Sequence, residues 1–433
     1  MIEQKLSRIL PFTGLILAVY SVQRYSSFPL GNTIIWWGIN LSILLCFALL
    51  ARYSVIGNED KQTTQIIRWY LIWNGFNILR GLFIAELYWD YKGLIEMGMA
   101  LMIPLVVYLA LDRERVRSFL AFFLNIAIPV SFLFLPVLPI GGWGWYVFPV
   151  SLMMLFFPAL PIRGKIYVLV ITALAAFGDV GTRSHTIKYL MPVVLLIGFY
   201  TTRNFALSGR LMKLAQRLLM VVPFLFFILA LTGVFEIFKM DQYIKGEYVE
   251  TRENSEGEIV EENLTVDTRT FLYAEVLQSA LKYDYWLIGR SPARGNETVH
   301  FAHLGKETTG RQERLRNEVG VLNVFTWTGV VGVILYFLVF YKASFYAIFR
   351  SNNIYVKLIG LFVSFRWVYA WVEDYQGFDM NNFVIWLMIG MCFSSAFRKM
   401  SNVEIKLWIW GIFDSRYLAK YRLYTRKEFS KSI

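Results

Sequence analysis

The sequence predicts an all-α polytopic membrane protein, and three observations predict it. The chain of 433 residues is 57% hydrophobic and only 17% charged, where an average soluble domain is about 45–50% apolar and about 25% charged. Its mean hydropathy is +0.48. Apolar runs of about 17–22 residues, the length that crosses a bilayer core, recur along nearly the whole chain.

Hydropathy places about twelve transmembrane helices, near 9–23, 33–51, 66–86, 93–111, 118–138, 143–160, 165–178, 187–202, 217–238, 321–341, 356–374 and 382–398. The N-terminal stretch MIEQKLSRILPFTGLILAVYSVQRYS has the outline of a signal sequence. It has no small-residue cleavage site and further spans follow, so it reads as the first helix. The chain thus divides into a membrane bundle of about nine spans over 1–238, a long loop over 239–320, about three more spans over 321–398, and a basic tail over 399–433.

The net charge of +12 points to membrane orientation and gives no reason to expect a nucleic-acid partner. With the N-terminus inside, alternate loops carry Arg52 and Lys61, then Arg113, Arg115 and Arg117, then Arg163 and Lys165. Arg203, Arg210, Lys213 and Arg217 continue the series, followed by Lys342, Arg350 and Lys357 and then the tail. The opposite loops are poor in Lys and Arg, and one holds Glu373, Asp374 and Asp379. Positive-inside bias makes both termini cytoplasmic and puts the 239–320 loop on the extracytoplasmic face. The tail suits an interfacial segment held by anionic membrane lipid. Cys46 and Cys392 lie inside apolar runs and offer neither a disulfide framework nor metal-ligand spacing.

The loop has two parts. Residues 241–267 are acidic and polar and read as a solvated segment; Asn263-Leu-Thr265 and Asn296-Glu-Thr298 match the short glycosylation pattern. The second part, DTRTFLYAEVLQSALKYDYWLIGRSP, predicts an amphipathic helix with Leu272, Tyr273, Val276, Leu277, Ala280 and Leu281 on one face. Arg269 sits in its first turn, where the helix dipole disfavours a cation. Its partner is either an external anion or a nearby acid, Glu275 or Asp267.

After Gly289 the arginines crowd: Arg290, Arg294, Arg311, Arg314 and Arg316, with His300 and His303 between them. A helix over the RQERLRNEVG stretch would align Arg311, Arg314 and Glu318 on one face and Arg316, Gly320 and Asn323 on another. Arginine's planar fork suits phosphate oxygens. The bland alternative is lipid headgroups or the loop's own acids. A second outer element, FGDVGTRSHTIKYL, sets Arg183 and His185 where the chain re-enters the membrane. There Arg183 either serves a site or pairs with Asp179. Arg68, Arg80 and Arg366 fall within spans and read as structural or cavity-lining before catalytic, with Glu373 within reach of Arg366.

Three motifs in this order carry a resemblance. GTRSH stands at an outer turn, TRTFLYAEVLQSALKYDYWLIGRSP in the long loop, and RNEVGVLNVFTWTGVVG at the entry of a helix with spaced glycines. Over roughly 165–340 the chain resembles the O-antigen ligase and O-antigen polymerase superfamily of bacterial envelope glycosyltransferases, and elsewhere by topology alone. The resemblance implies an inner-membrane enzyme moving a glycan from undecaprenyl diphosphate to a sugar hydroxyl, without a metal or other cofactor. A chain-length regulator is a further implied partner. It implies that Arg183 and Arg269 engage the diphosphate, with Arg290 as a further candidate. His185, Arg311, Arg314, Arg316 and Asn317 complete the expected substrate-binding set. Similar proteins often begin the last motif with His-Asn, the histidine being the suspected base. Here the pair is Arg316-Asn317, which leaves His300, His303 and Glu318 as base candidates. Polymerase and ligase differ in acceptor, and the missing histidine leans to polymerase. A transporter of lipid-linked sugars or an envelope scaffold is the rival. A transporter would spread its charges through several spans, whereas here they gather on one face and one loop.

Overall fold

The computed structural model describes residues 2–23, 25–26, 30–54, 56–138, 140–178, 183–201, 205–232, 249–253, 259–263, 270–299, 302, 306, 310–373 and 377–431. At some of these, including Arg183, Ser184 and His185, only the backbone is described. The described chain is almost entirely helical. In order come α1 (Ile2–Gln23), α2 (Thr33–Tyr53), α3 (Gln65–Ile84), α4 (Tyr88–Met102), α5 (Arg113–Phe122), α6 (Ile140–Tyr146), α7 (Pro149–Leu155), α8 (Ile162–Phe177), α9 (Arg183–Thr201) and α10 (Phe205–Leu231). The loop contributes β1 (Val249–Glu253), β2 (Ile259–Asn263), α11 (Thr270–Lys282), β3 (Asn296–Glu297) and β4 (Glu313–Arg314). Then follow α12 (Gly320–Phe349), α13 (Ile354–Tyr369), α14 (Met380–Phe393), α15 (Asn402–Phe413) and α16 (Ser415–Lys431).

Among the described residues six helical stretches are long and apolar enough to cross a membrane: Lys5–Gln23, Thr33–Tyr53, Tyr88–Leu109, Arg113–Phe134, Gly209–Leu229 and Gly320–Phe349. Thr186–Thr201 and Met380–Phe393 are shorter apolar helices. Each apolar run picked out of the sequence overlaps a helix. Their starts are fixed by side chains that satisfy backbone donors the helix itself leaves open. Asn32 accepts from the Ile35 N–H, Asp112 from Glu114, Asn353 from Val356 and Asp379 from Asn382. Ser401 and Glu404 close a reciprocal capping box.

The core is built around α12, α13 and α14. Every residue of α14 is buried, and Trp327, Trp367 and Trp408 are wholly inside. The outer helices keep apolar side chains on their exposed faces, among them Ile34, Phe83 and Leu133. In a soluble protein such patches would be liabilities; in a membrane they meet hydrocarbon.

Within the polar part of the loop, β1 and β2 pair as an antiparallel hairpin with Val249 opposite Asn263, where the sequence reads as solvated chain. Val249, Thr251, Ile259 and Val260 supply the β-branched residues that favour pleated backbone. Asn296, part of one glycosylation match, is completely buried and so is no acceptor in the folded chain.

Candidate functional site

The loop is stitched to the bundle. On α11, Leu272 and Val276 pack against Val319, Val321 and Leu322 at the start of α12. The same buried face carries Glu275 and Ser279. Glu275 accepts hydrogen bonds from the Thr298 hydroxyl at 2.8 Å and the Val299 N–H at 2.7 Å. Ser279 accepts from the Glu297 N–H at 2.9 Å. These polar contacts turn the buried stripe away from Leu281, which is 76% exposed although the apolar pattern places it on the inner face.

Beyond α11 the chain enters a cleft between α3, α4 and α12. Ala293 packs with Ala85 and Leu94, and Ser291 and Ala293 are fully buried. Here α12 breaks: Gly329 has φ 68° and ψ −172°, with helix on either side. A break inside a helix orphans carbonyls before it and N–H groups after it, at about 1–3 kcal/mol for each left unsatisfied. The inserted segment takes them. Arg290 N–H donates to the Thr326 carbonyl at 2.6 Å and Ser291 N–H to Trp327 at 3.2 Å. In return Val330 N–H donates to the Trp286 carbonyl at 2.9 Å. Trp73 Nε1 donates to the Thr328 carbonyl, and Arg80 donates to the Ile288 and Gly289 carbonyls. A Cβ on Gly329 would lie 2.2 Å from the Leu287 oxygen, and one on Gly289 (φ +74°) would lie 2.4 Å from the Thr328 nitrogen. Two glycines therefore face each other across the seam. The sequence suggests helix–helix packing for the spaced glycines of α12; Gly329 instead admits a non-helical strand of backbone.

The arginines after Gly289 meet acids of the same surface. Arg290 lies 3.0 Å from Glu313, donates to the Gly295 carbonyl and covers the Tyr283 ring at 4.2 Å. Arg294 grips Glu313 with two nitrogens, and that hydrogen bond holds its guanidinium above the usual range. Arg311 reaches Glu86 at 2.7 Å and Asp90 at 3.4 Å, and Arg314 reaches Glu318 at 3.2 Å. Residues 310–319 are not helical. β4 pairs with β3, and Gly295 lets the Arg314 backbone approach so closely that a Cβ would sit 2.1 Å from its oxygen. Pairing with β3 is what holds this stretch extended. Asn317 sits in a buried amide network, donating to Asn296 and receiving from the Asn323 Nδ2 on its carbonyl.

A second cluster forms around the turn between α13 and α14. The Val321 and Gly320 N–H groups donate to the Ala370 and Glu373 carbonyls at 2.9 and 3.0 Å. The Tyr273 hydroxyl donates to the Trp371 carbonyl. The turn is thus pinned to α11 and α12 together. Lys188 of α9 is completely buried, with its ammonium 4.5 Å from the Trp145 ring centroid and 3.7 Å from the Glu373 carboxylate. Arg366 of α13 is 1% exposed and lies seven residues before Glu373 along the chain. Arg316 comes beside Asp379: a Cβ on Gly377 would lie 3.2 Å from the Arg316 Nη2 and 2.3 Å from the Asp379 Oδ2.

Lys188 and Arg316 therefore each stand beside a carboxylate, with the buried Arg366 close by in sequence, at the end of the bundle where α9 and α12 begin. Arg183 and His185 open α9, five and three residues before Lys188. Their side chains, and all of Arg269, His300, His303 and Asp374, lie outside the described residues. Of the expected set, Arg290, Arg314, Asn317 and Glu318 belong to the polar framework at the end of the loop, Arg311 ties the loop to Glu86 and Asp90 of the bundle, and Arg316 reaches the second cluster. Sequence reading passed over Lys188. Its signal was there: a lysine on the helix that follows GTRSH. Among the described residues no group of three or more His, Cys, Asp or Glu could hold a metal ion. Compared with known protein families, curated proteins and solved structures, the chain gives no match.

Proposed function

We propose that this chain is a bacterial inner-membrane glycosyltransferase of the O-antigen polymerase type. On this reading about twelve helices cross the membrane, both termini are cytoplasmic, and the 239–320 loop lies outside. The enzyme moves a glycan from undecaprenyl diphosphate to a sugar hydroxyl. The observation that carries the reading is that Lys188 and Arg316 each stand beside a carboxylate at one end of the bundle, with the buried Arg366 close by in sequence, beside the start of the helix that opens with Arg183. Attack by the hydroxyl oxygen on the anomeric carbon breaks the bond to the diphosphate, which leaves with the electron pair. Fixed cations in a water-poor site stabilise that developing charge strongly. The resemblance adds Arg183 and Arg269 as the diphosphate clamp.

Glycan banding in a strain lacking the protein tests this. A polymerase predicts loss of the ladder with a single repeat unit left on the core, and no recovery with Arg269→Ala. An O-antigen ligase predicts loss of all core-linked polymer while long lipid-linked chains accumulate. Unchanged banding returns the transporter and scaffold readings. Arg183→Lys and Arg269→Lys should each lose most activity, because lysine keeps the charge and lacks the fork; full activity in both removes the clamp.

A further inference from the structure

We propose that the chain binds the headgroup of a zwitterionic membrane lipid, one that carries a phosphate and an ammonium, in a pocket at the end of the bundle where α5 and α15 begin. The proposal goes beyond the glycosyl-transfer reading and does not depend on it.

The pocket has a volume of about 570 Å³. Its walls come from places where helices of membrane-spanning length end. Glu3 lies just before Lys5–Gln23, Ser54 just after Thr33–Tyr53, and Arg113 is the first residue of Arg113–Phe134. In a bilayer the ends of spanning helices lie at the level of the headgroups. Tyr421 of α16, 4% exposed, lines the pocket from the tail. α15 steadies the opposite wall, where Trp408 Nε1 donates to the Arg113 carbonyl at 3.3 Å.

Most charges on the walls are already answered by one of opposite sign. Glu3 accepts from Arg115. Asp112 takes the Glu114 N–H at 2.8 Å and stands 3.5 Å from Arg115. Glu114 takes Arg117 at 2.9 Å. Two charges form no ion pair among the described residues, and they are of opposite sign. The Arg113 guanidinium lies 5.9 Å from the centroid of the Tyr421 ring and meets no carboxylate. Asp60, in the short helix Asn58–Thr63, is 8% exposed, accepts the Ser395 N–H at 2.7 Å and meets no cation. A carboxylate so far from water without a counter-charge is unfavourable, and a cation arriving in the pocket offsets that.

One unanswered cation and one unanswered carboxylate in the same pocket fit a ligand that carries both signs. A metal ion or a simple phosphate answers only one of them. Arginine's planar fork suits the phosphate oxygens, and the carboxylate suits an ammonium through charge-assisted hydrogen bonds. At headgroup depth the molecules that bear both groups a few bonds apart are zwitterionic phospholipids. Bound there, the headgroup joins Arg113 of α5 to Asp60 ahead of α3, beneath the tail helix.

The experiment uses the full-length protein, delipidated in detergent, and reads the first bound lipid by native mass spectrometry. The probes are phosphatidylethanolamine, phosphatidylglycerol and water-soluble glycerophosphoethanolamine. The wild type should hold phosphatidylethanolamine about fivefold or more tighter than phosphatidylglycerol. Arg113→Gln should weaken both lipids about tenfold, since both carry the phosphate. Asp60→Asn should weaken phosphatidylethanolamine about tenfold and leave phosphatidylglycerol unweakened, which erases the preference. A merely structural role for either residue would not sort the lipids by headgroup. A wild type without the preference overturns the proposal, and so does Arg113→Gln binding phosphatidylethanolamine like the wild type. Should Asp60→Asn not fold, Arg113→Gln still decides, because that side chain has no ion pair to lose. Glycerophosphoethanolamine held as tightly as the lipid overturns the membrane as the ligand's source.

Discussion

The two ends of the bundle use the same kinds of charged side chain in opposite ways. At the end where α5 and α15 begin, Arg115 is 4% exposed and reaches Glu3, and its other nitrogens donate to the Ser7 hydroxyl at 3.2 Å and to the Ser54 hydroxyl. Arg398, 3% exposed, donates to Glu59 at 2.9 Å and toward the Phe393 carbonyl. These arginines tie α1, α2, α5 and α14 together at hydrogen-bond distance. At the opposite end Lys188 meets Glu373 at 3.7 Å over an indole ring, and the neighbouring helix is broken at Gly329. A buried cation with its acceptors at hydrogen-bond length is a staple. A buried cation set over a ring, 3.7 Å from its carboxylate, meets that carboxylate through charge rather than at hydrogen-bond length. Distance, rather than residue type or exposure, separates the two: Glu3 and Glu59 are 39% and 40% exposed, and Glu373 is 19% exposed.

The largest expected effect comes from the seam that only the second end possesses. Gly329→Val must place a Cβ 2.2 Å from the Leu287 oxygen at φ +68°, so the inserted segment has to leave α12. A loss of about 4 kcal/mol or more is expected, read as a collapse of the thermal midpoint in detergent. A normal midpoint would mean that the segment does not sit in the break.

The comparison itself is sharpened by one substitution at each end. Arg115→Met removes a guanidinium 4% exposed that donates to Glu3 and to two hydroxyls at hydrogen-bond length, and should cost about 2–3 kcal/mol. Lys188→Met removes an ammonium that stands 3.7 Å from its carboxylate, beyond hydrogen-bond length, so stability should change by only about 1 kcal/mol while glycan elongation falls. Equal melting shifts for the two variants would erase the distinction.

A smaller contrast lies along α11. Leu272→Ala removes a side chain 1% exposed and should cost about 2–4 kcal/mol. Leu281→Ala, 76% exposed, should leave the melting midpoint unchanged. The smallest effect is electrostatic. The Lys399 and Arg398 contacts hold the Glu59 carboxyl below its ordinary value of 4.5. A depressed acid contributes stability above its unfolded pKa and loses it as pH falls through the folded one. Glu59→Gln should therefore be slightly less stable than wild type at neutral pH, by about 1 kcal/mol or less for so exposed a pair. The difference should shrink as pH falls below the ordinary carboxyl range and through that lowered value.

Much of the helical fold was legible because hydropathy is additive along the chain. The run 382–398 predicts α14 from its apolar residues alone, and Asp379 marks its start. Helix 11 was legible for the same reason, down to Leu272 and Val276. Leu281 was not, since Glu275 and Ser279 claim the buried face through partners near residue 298. Composition likewise misjudged 311–318, which reads as a helix entry. Its backbone is held extended by pairing with Asn296 and Glu297, a contact between distant positions that no local pattern encodes.

The sequence by itself determined a predominantly helical chain with helices of membrane-spanning length, and the crowding of arginines after Gly289. Those follow from side-chain hydropathy and local hydrogen bonding, which act within a few residues. Tertiary structure decided that Glu313 takes Arg290 and Arg294, that a loop segment fills the break at Gly329, and that Lys188 stands beneath Glu373, 185 positions away by number. The physical reason is range. A charge acts over several ångströms through space, and the residues it meets are chosen by packing of helices whose order along the chain gives no hint of their adjacency.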